Sequence, residues 1–260
     1  RTFWALSGFS ELFDSATLYP QGAFIANTAA HWVTADTVFW QVDNADVAKV
    51  RIYSSDVDDL AYDPEAGIVG DTYIEFIVES ENAAQALGMP RYSGLTTFTS
   101  TNSPTDKAKT MLKGKLLAIA YDSEDTLIGA TYVQTPRVID ALYTQGEQDA
   151  DEASLGLTYN TSDIGAHVWA PTAQQVSLKI YNRAKELQTT EIMAFDNTTG
   201  IWSVITPISN DRLFYRYELV IYHPQNLAFE TIETTDPYSV SLSTNGNFSQ
   251  FVNLTDVDLQ

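Results

Sequence analysis

Cysteine is absent from the 260-residue sequence, which removes disulfides, thiolate catalysis and cysteine-ligated zinc together. Basic residues are scarce: 14 Lys and Arg stand against 34 Asp and Glu, a net charge of −20. Nucleic acid and anionic membrane would be repelled by such a surface and are excluded as partners. The deficit is shared, with 23 acids against 9 bases up to Leu155 and 11 against 5 beyond it. It therefore reads as whole-surface solubility, not as one polar tail. No apolar run approaches the ~18–20 residues of a membrane-spanning helix. The opening residues, RTFWALSGFS, have neither the basic start nor the apolar stretch of a leader. Three histidines, His31, His167 and His223, are isolated in sequence and show no metal-ligand spacing.

What is present is strand-forming. A hydrophobic fraction of 44% with 12% aromatics is enough for folded cores and too much for a disordered chain. Segments 37–40 (TVFW), 47–53 (VAKVRIY), 72–78 (TYIEFIV), 115–121 (KLLAIAY) and 127–133 (LIGATYV) are short, β-branched or aromatic, and bounded by turns. Two helices are expected among them, at 104–113 and 136–143; the second places Val138, Ile139 and Leu142 on one side. Residues 146–155 are polar and acidic and read as a linker between two domains, 29–145 and 156–260, with 1–28 as an N-terminal arm. After the linker, strands at 166–170, 176–181, 202–206, 214–222 and 228–234 alternate with turn chemistry. In FYRYELVIY, Tyr215, Tyr217, Leu219 and Ile221 form the face expected to meet the core. The expected fold class is all-β: two tandem immunoglobulin-like β-sandwiches, the first with one or two short helices.

Particular strings go further. LGLTYN (155–160), HVWAPTAQQVSL (167–178), GIWSV (200–204), FYRYELVIYHP (214–224) and TTDPYSVSLSTNG (234–246) resemble the carbohydrate-binding module of family 48 that precedes the barrel of pullulanases and limit dextrinases. AHWVTADTVFWQVDNADVAKVRIYSS (30–55) and PRVIDALYT (136–144) resemble the domain before that module in the same enzymes. The resemblance implies the non-catalytic N-terminal region of a debranching enzyme that hydrolyses α-1,6 bonds in starch or glycogen. The aspartate nucleophile, glutamate acid/base and second aspartate of that superfamily lie in barrel segments that have no counterpart here. No hydrolysis by this chain alone is therefore expected. The implied partners are α-glucan (starch, glycogen, pullulan or limit dextrin) and a catalytic barrel; the implied location is secreted or on a bacterial cell surface, which the residues themselves leave undecided.

Within that frame, aromatic faces are the natural sugar platforms. Trp169 reads as core. Trp202 carries two readings, core or glucan platform. Asn247, with Asn245 and Ser249 beside it, stands where related modules hydrogen-bond sugar hydroxyls, against the alternative of an ordinary polar turn. Asp236, Pro237 and Tyr238 form either a docking face for the barrel or a sandwich corner. The acidic run holding Asp56, Asp58 and Asp63 offers oxygens of the kind calcium takes, but without the twelve-residue calcium-loop pattern, so a solvated loop competes. No other cofactor is implied. Against the glucan reading stands an interdomain scaffold without a sugar site.

Overall fold

The computed structural model describes residues 29–42, 45–57, 60–63, 67–69, 72–102, 104–146, 149–223 and 228–257. The chain divides into two compact units that meet between Gln145 and Gly146. The arm expected at 1–28 lies outside the described residues.

The first unit runs through β1 (Ala30–Thr34), β2 (Thr37–Trp40), β3 (Lys49–Ser55), β4 (Ala61–Asp63), β5 (Gly67–Val69), β6 (Thr72–Val78) and β7 (Thr96–Thr99). It continues with α1 (Thr105–Met111), β8 (Lys115–Tyr121), β9 (Leu127–Thr131), β10 (Val133–Gln134) and α2 (Pro136–Tyr143). Its main ladder has the order β10-β1-β2-β7-β6-β3-β8-β9, and β4 and β5 form a separate hairpin. The two halves of the ladder are joined by only two residue pairs, Ile77 with Thr99 and Val78 with Phe98. Both halves send side chains into one core: Trp32, Val38, Trp40 and Phe98 from one, Val50, Ile52, Phe76 and Ala118 from the other. Met111 of α1 and Val138 of α2 close it, with Ile139 and Leu142 packed alongside as the helical spacing predicts. Gly114, between α1 and β8, has no room for a side chain: a Cβ there would lie 2.5 Å from the Ser55 carbonyl oxygen.

The second unit contains β11 (Gly156–Tyr159), β12 (Asp163–Trp169), β13 (Gln175–Tyr181), β14 (Leu187–Ile192) and β15 (Ala194–Asp196). Then follow β16 (Ile201–Pro207), β17 (Phe214–His223), β18 (Ala228–Thr234) and β19 (Ser249–Gln250). One sheet has the order β11-β12-β16-β15; the other is β14-β13-β17-β18, with β19 on the start of β17. Ile164, Ala166 and Val168 of the first sheet and Val176, Leu178, Ile180, Tyr215 and Tyr217 of the second share the core. Leu219 and Ile221 continue that face of β17, so the period-two reading of FYRYELVIY holds. The all-β class is the observed one. Within the stretch read as a linker, Asp149 and Ala150 are buried.

Trp169 is not a core residue. Because Ile164, Ala166 and Val168 point inward, the pleat turns the next residue outward. Trp169 is half-buried there and donates its indole N–H to the Thr199 carbonyl at 3.0 Å, tying β12 to the turn before β16.

Candidate functional site

Trp202 belongs to the core. It is 5% exposed, packs at 4.9 Å from the Phe195 ring, and donates its indole N–H to the Ala170 carbonyl at 2.9 Å. A ring held this way has no face left for a sugar, so the platform reading of Trp202 fails on burial. Ser249 is also withdrawn from any sugar role: it is fully buried, and its hydroxyl oxygen accepts the Asp236 amide N–H at 2.9 Å. Asn247 and Asn245 remain exposed.

The docking triplet divides. Asp236 is buried, with one carboxylate oxygen accepting the Tyr215 hydroxyl and the other the Tyr238 amide, both at 2.8 Å. It fastens the chain after β18 to β17 and cannot present itself to a partner. Burial pushes its carboxyl above the ordinary range, and the two donated hydrogen bonds oppose that shift. Pro237 is exposed and Tyr238 is 45% exposed. Val240 and Leu242 follow at 59% and 52%, so alternate residues of TDPYSVSLS form an apolar row facing solvent. Gly156 makes the corner fit: its φ is +82°, and a Cβ there would stand 3.0 Å from the Cβ of Tyr238.

A second surface gathers around Asn247. The outward face of β13 carries Lys179 and Tyr181, and that of β17 carries Phe214 and Arg216, in register opposite each other: Lys179 with Arg216 and Tyr181 with Phe214. Two cations facing each other across a ladder would repel. Glu233 of β18 resolves this, bonding the Lys179 ammonium at 2.5 Å and the Arg216 guanidinium at 3.1 Å. Glu218 takes a second Lys179 hydrogen bond, also at 2.5 Å. The Lys179 contact holds the Glu233 carboxyl below its usual range, and the bonds to Glu218 first and Glu233 second raise the ammonium. An ionised, doubly engaged Glu233 can accept hydrogen bonds but has no proton to give a leaving group.

Phe248, next to Asn247, completes this surface. Its ring meets Tyr181 edge-on at 4.9 Å and lies 6.1 Å from Phe214. The Lys185 ammonium and the Arg216 guanidinium lie over it at 5.6 and 5.7 Å. Three rings, of which Tyr181 is buried, and three cations, Lys179, Lys185 and Arg216, thus share one face, with the exposed Asn247 next in sequence to Phe248. Sequence reading placed Phe214 and Arg216 on the outer side of β17 but had no means of bringing Phe248, over thirty residues later, onto them. β19 does that, pairing Gln250 with Phe214.

Of the calcium candidates, Asp58 and the side chain of Asp63 lie outside the described residues, and Asp56 is exposed. Among the described residues no cluster of three or more carboxylates or imidazoles converges as a metal site, and no helix is long and apolar enough to cross a membrane.

Residues 27–141 match the Pullulanase N2 domain, and residues 154–239 match Carbohydrate-binding module 48, the isoamylase N-terminal domain. The pullulanase of Klebsiella pneumoniae is 34% identical over the whole of this chain, and chloroplastic pullulanase 1 of Arabidopsis thaliana is 30% identical over 89% of it. The chain spans about a quarter of the length of these relatives, 23% in each case. A crystal structure of the Klebsiella pneumoniae protein in complex with maltotriose superimposes with a TM-score of 0.79 at 34% identity, covering 90% of this chain and 24% of that one. The Klebsiella oxytoca structure gives 0.78 at 35% identity, covering 91% and 22%. The chain is the N-terminal region of a pullulanase-type protein, a Pullulanase N2 domain followed by a family 48 carbohydrate-binding module.

Proposed function

We propose that this chain is the non-catalytic front of an α-1,6-debranching enzyme and that its second unit holds α-glucan on the face around Phe248. The observation that carries this is the meeting of the partly exposed rings of Phe214 and Phe248, backed by the buried Tyr181, with the exposed Asn247 next in sequence to Phe248. Pyranose rings bind by laying C–H faces on aromatic rings while amides and carboxylates take their hydroxyls. Asn247 offers both a donor and an acceptor, and Glu233 offers acceptor oxygens already ionised. Nothing on this face generates a nucleophile or a protonated acid, so its chemistry is binding without bond cleavage. The sugars are neutral, and their affinity depends little on salt. Titration calorimetry with maltoheptaose and β-cyclodextrin tests the reading. Saturable binding at millimolar ligand, weakened about tenfold by Phe248→Ala and by Asn247→Ala, supports it. Binding that survives both substitutions, or no heat from the unmodified chain, rejects it.

The scaffold reading draws on a separate observation, the solvent-facing row of Tyr238, Val240 and Leu242. Such a row suits burial against the barrel that the longer relatives would carry. The two roles occupy different residues and can coexist.

A further inference from the structure

Positive charge is rare in this chain, so a place where it gathers without counter-charge is informative. In the first unit, where β10 gives way to α2, a cleft of about 500 Å³ is lined by His31, Trp32, Arg91, Tyr92, Leu95 and Arg137, among others. No acidic side chain is among its lining residues. Neither arginine has a carboxylate within ion-pair distance among the described residues.

The backbone assembles the cleft from three places. Parallel pairing sets His31 beside Gln134, which brings the start of α2 to the edge of β1. A single 3-10 turn, Pro90–Tyr92, supplies Arg91. The Arg91 guanidinium lies 4.6 Å above the Tyr92 ring and bonds its hydroxyl; the same ring sits 5.0 Å from the His31 imidazole. Burial first, and the charge of Arg91 second, hold His31 below its ordinary range.

Two features of this region work against stability as it stands. Arg137 occupies the first turn of α2, which contains no acidic residue, although the helix dipole favours an anion there. The preceding Thr135 gives that helix end no side-chain cap. Trp32 is fully buried, and its indole N–H has no acceptor among the described residues. An oxyanion in the cleft offsets the first.

We propose that this cleft binds one phosphate-class oxyanion, either inorganic phosphate or the phosphate group of a small ester. Two guanidinium forks present more N–H donors than the two oxygens of a carboxylate can engage, whereas a phosphate offers three or four oxygens and a second charge. Leu95 supplies an apolar wall on which the carbon part of an ester can rest.

Calorimetric titration of the chain with sodium phosphate and with glucose 6-phosphate, against sodium chloride of matched ionic strength, tests this. One saturable site is expected, weakened about tenfold by Arg91→Gln and by Arg137→Gln. Arg183→Gln, at another exposed arginine in the second unit, removes the same charge and should leave the affinity unchanged. Tighter binding of glucose 6-phosphate identifies an ester as the ligand; equal affinity identifies the free ion. Melting temperatures report whether the glutamine variants remain folded, which is expected because both arginines are exposed. No saturable heat with either phosphate, or full affinity in both folded variants, overturns the proposal.

Discussion

In the first unit, β2 buries all of its side chains, Val38 and Trp40 toward the central core and Phe39 toward Ala84 and Tyr92 on the other side. In the second unit, β17 buries Tyr215 and Tyr217 on one face and leaves Phe214, Arg216 and Glu218 on the other. The first unit thus covers much of its own sheet. A satellite cluster of Leu60, Leu117, Ile119 and Tyr121 does on β8 what Ala84 and Tyr92 do on β2. An outer sheet face that the chain covers itself is lost to ligands, and binding chemistry retreats to clefts such as the one beside α2. A face left open must be stabilised laterally instead, and the Lys179–Glu233–Arg216 network is that lateral support. Of the rings placed beside it, Phe214 and Phe248 remain partly exposed, while Tyr181 is buried.

The sharpest test of the inner and outer faces of the second unit is to truncate a tryptophan on each. Trp202→Ala should cost about 3–5 kcal/mol in the second unit by denaturant unfolding, since it empties a packed core site. Trp169→Ala, on the outer face, should cost about 1–2 kcal/mol through the lost hydrogen bond to Thr199 and partial burial. Equal costs would mean that the two faces of β12 and β16 are not distinguished as described.

Gly114→Ala comes next in size and probes the first unit alone. A methyl group 2.5 Å from a backbone carbonyl forces β3 or β8 to move, at about 1–3 kcal/mol. A melting temperature within error of the parent would show that the close approach is relieved at no cost.

The smallest effects concern pH, and here two carboxylates of the second unit act in opposite senses. Asp236 has a raised pKa in the fold, so its contribution is full below the ordinary aspartate range and falls as pH rises through the shifted value. Glu233 has a lowered pKa, so its contribution is present above the ordinary glutamate range and is lost as pH falls through the shifted value. Asp236→Asn should remove a loss of stability on going from acid toward neutral pH. Glu233→Gln should remove a gain over the same direction, worth less than about 1 kcal/mol because that side chain is partly solvated. Unfolding curves measured from pH 3 to 7 separate them; parallel profiles for both variants would contradict the assigned shifts.

Much of the architecture was readable because local rules suffice for it. Period-two alternation in FYRYELVIY identified its core face, and helical spacing in PRVIDALY identified Val138, Ile139 and Leu142. The quoted strings carried the family resemblance that the comparisons support. The same alternation puts Trp169 outside, since Val168 precedes it on an inward position, and the pleat outweighs the preference of large aromatics for interiors. Trp202 was legible as core only in part, because a tryptophan on an inward position and one beside a sugar groove carry the same local pattern.

By itself, then, the sequence determined the element types, the core faces, the acidic surface and the kinship. Those follow from spacing and composition, which are properties of neighbouring residues. Only the tertiary structure decided that Phe248 meets Tyr181 and Phe214, that Asp236 is a buried clasp while Tyr238 faces water, and that His31, Arg91 and Arg137 line one cleft. Each of these joins residues tens of positions apart through strand pairing, and register between distant strands is set by how whole sheets pack and not by any local pattern.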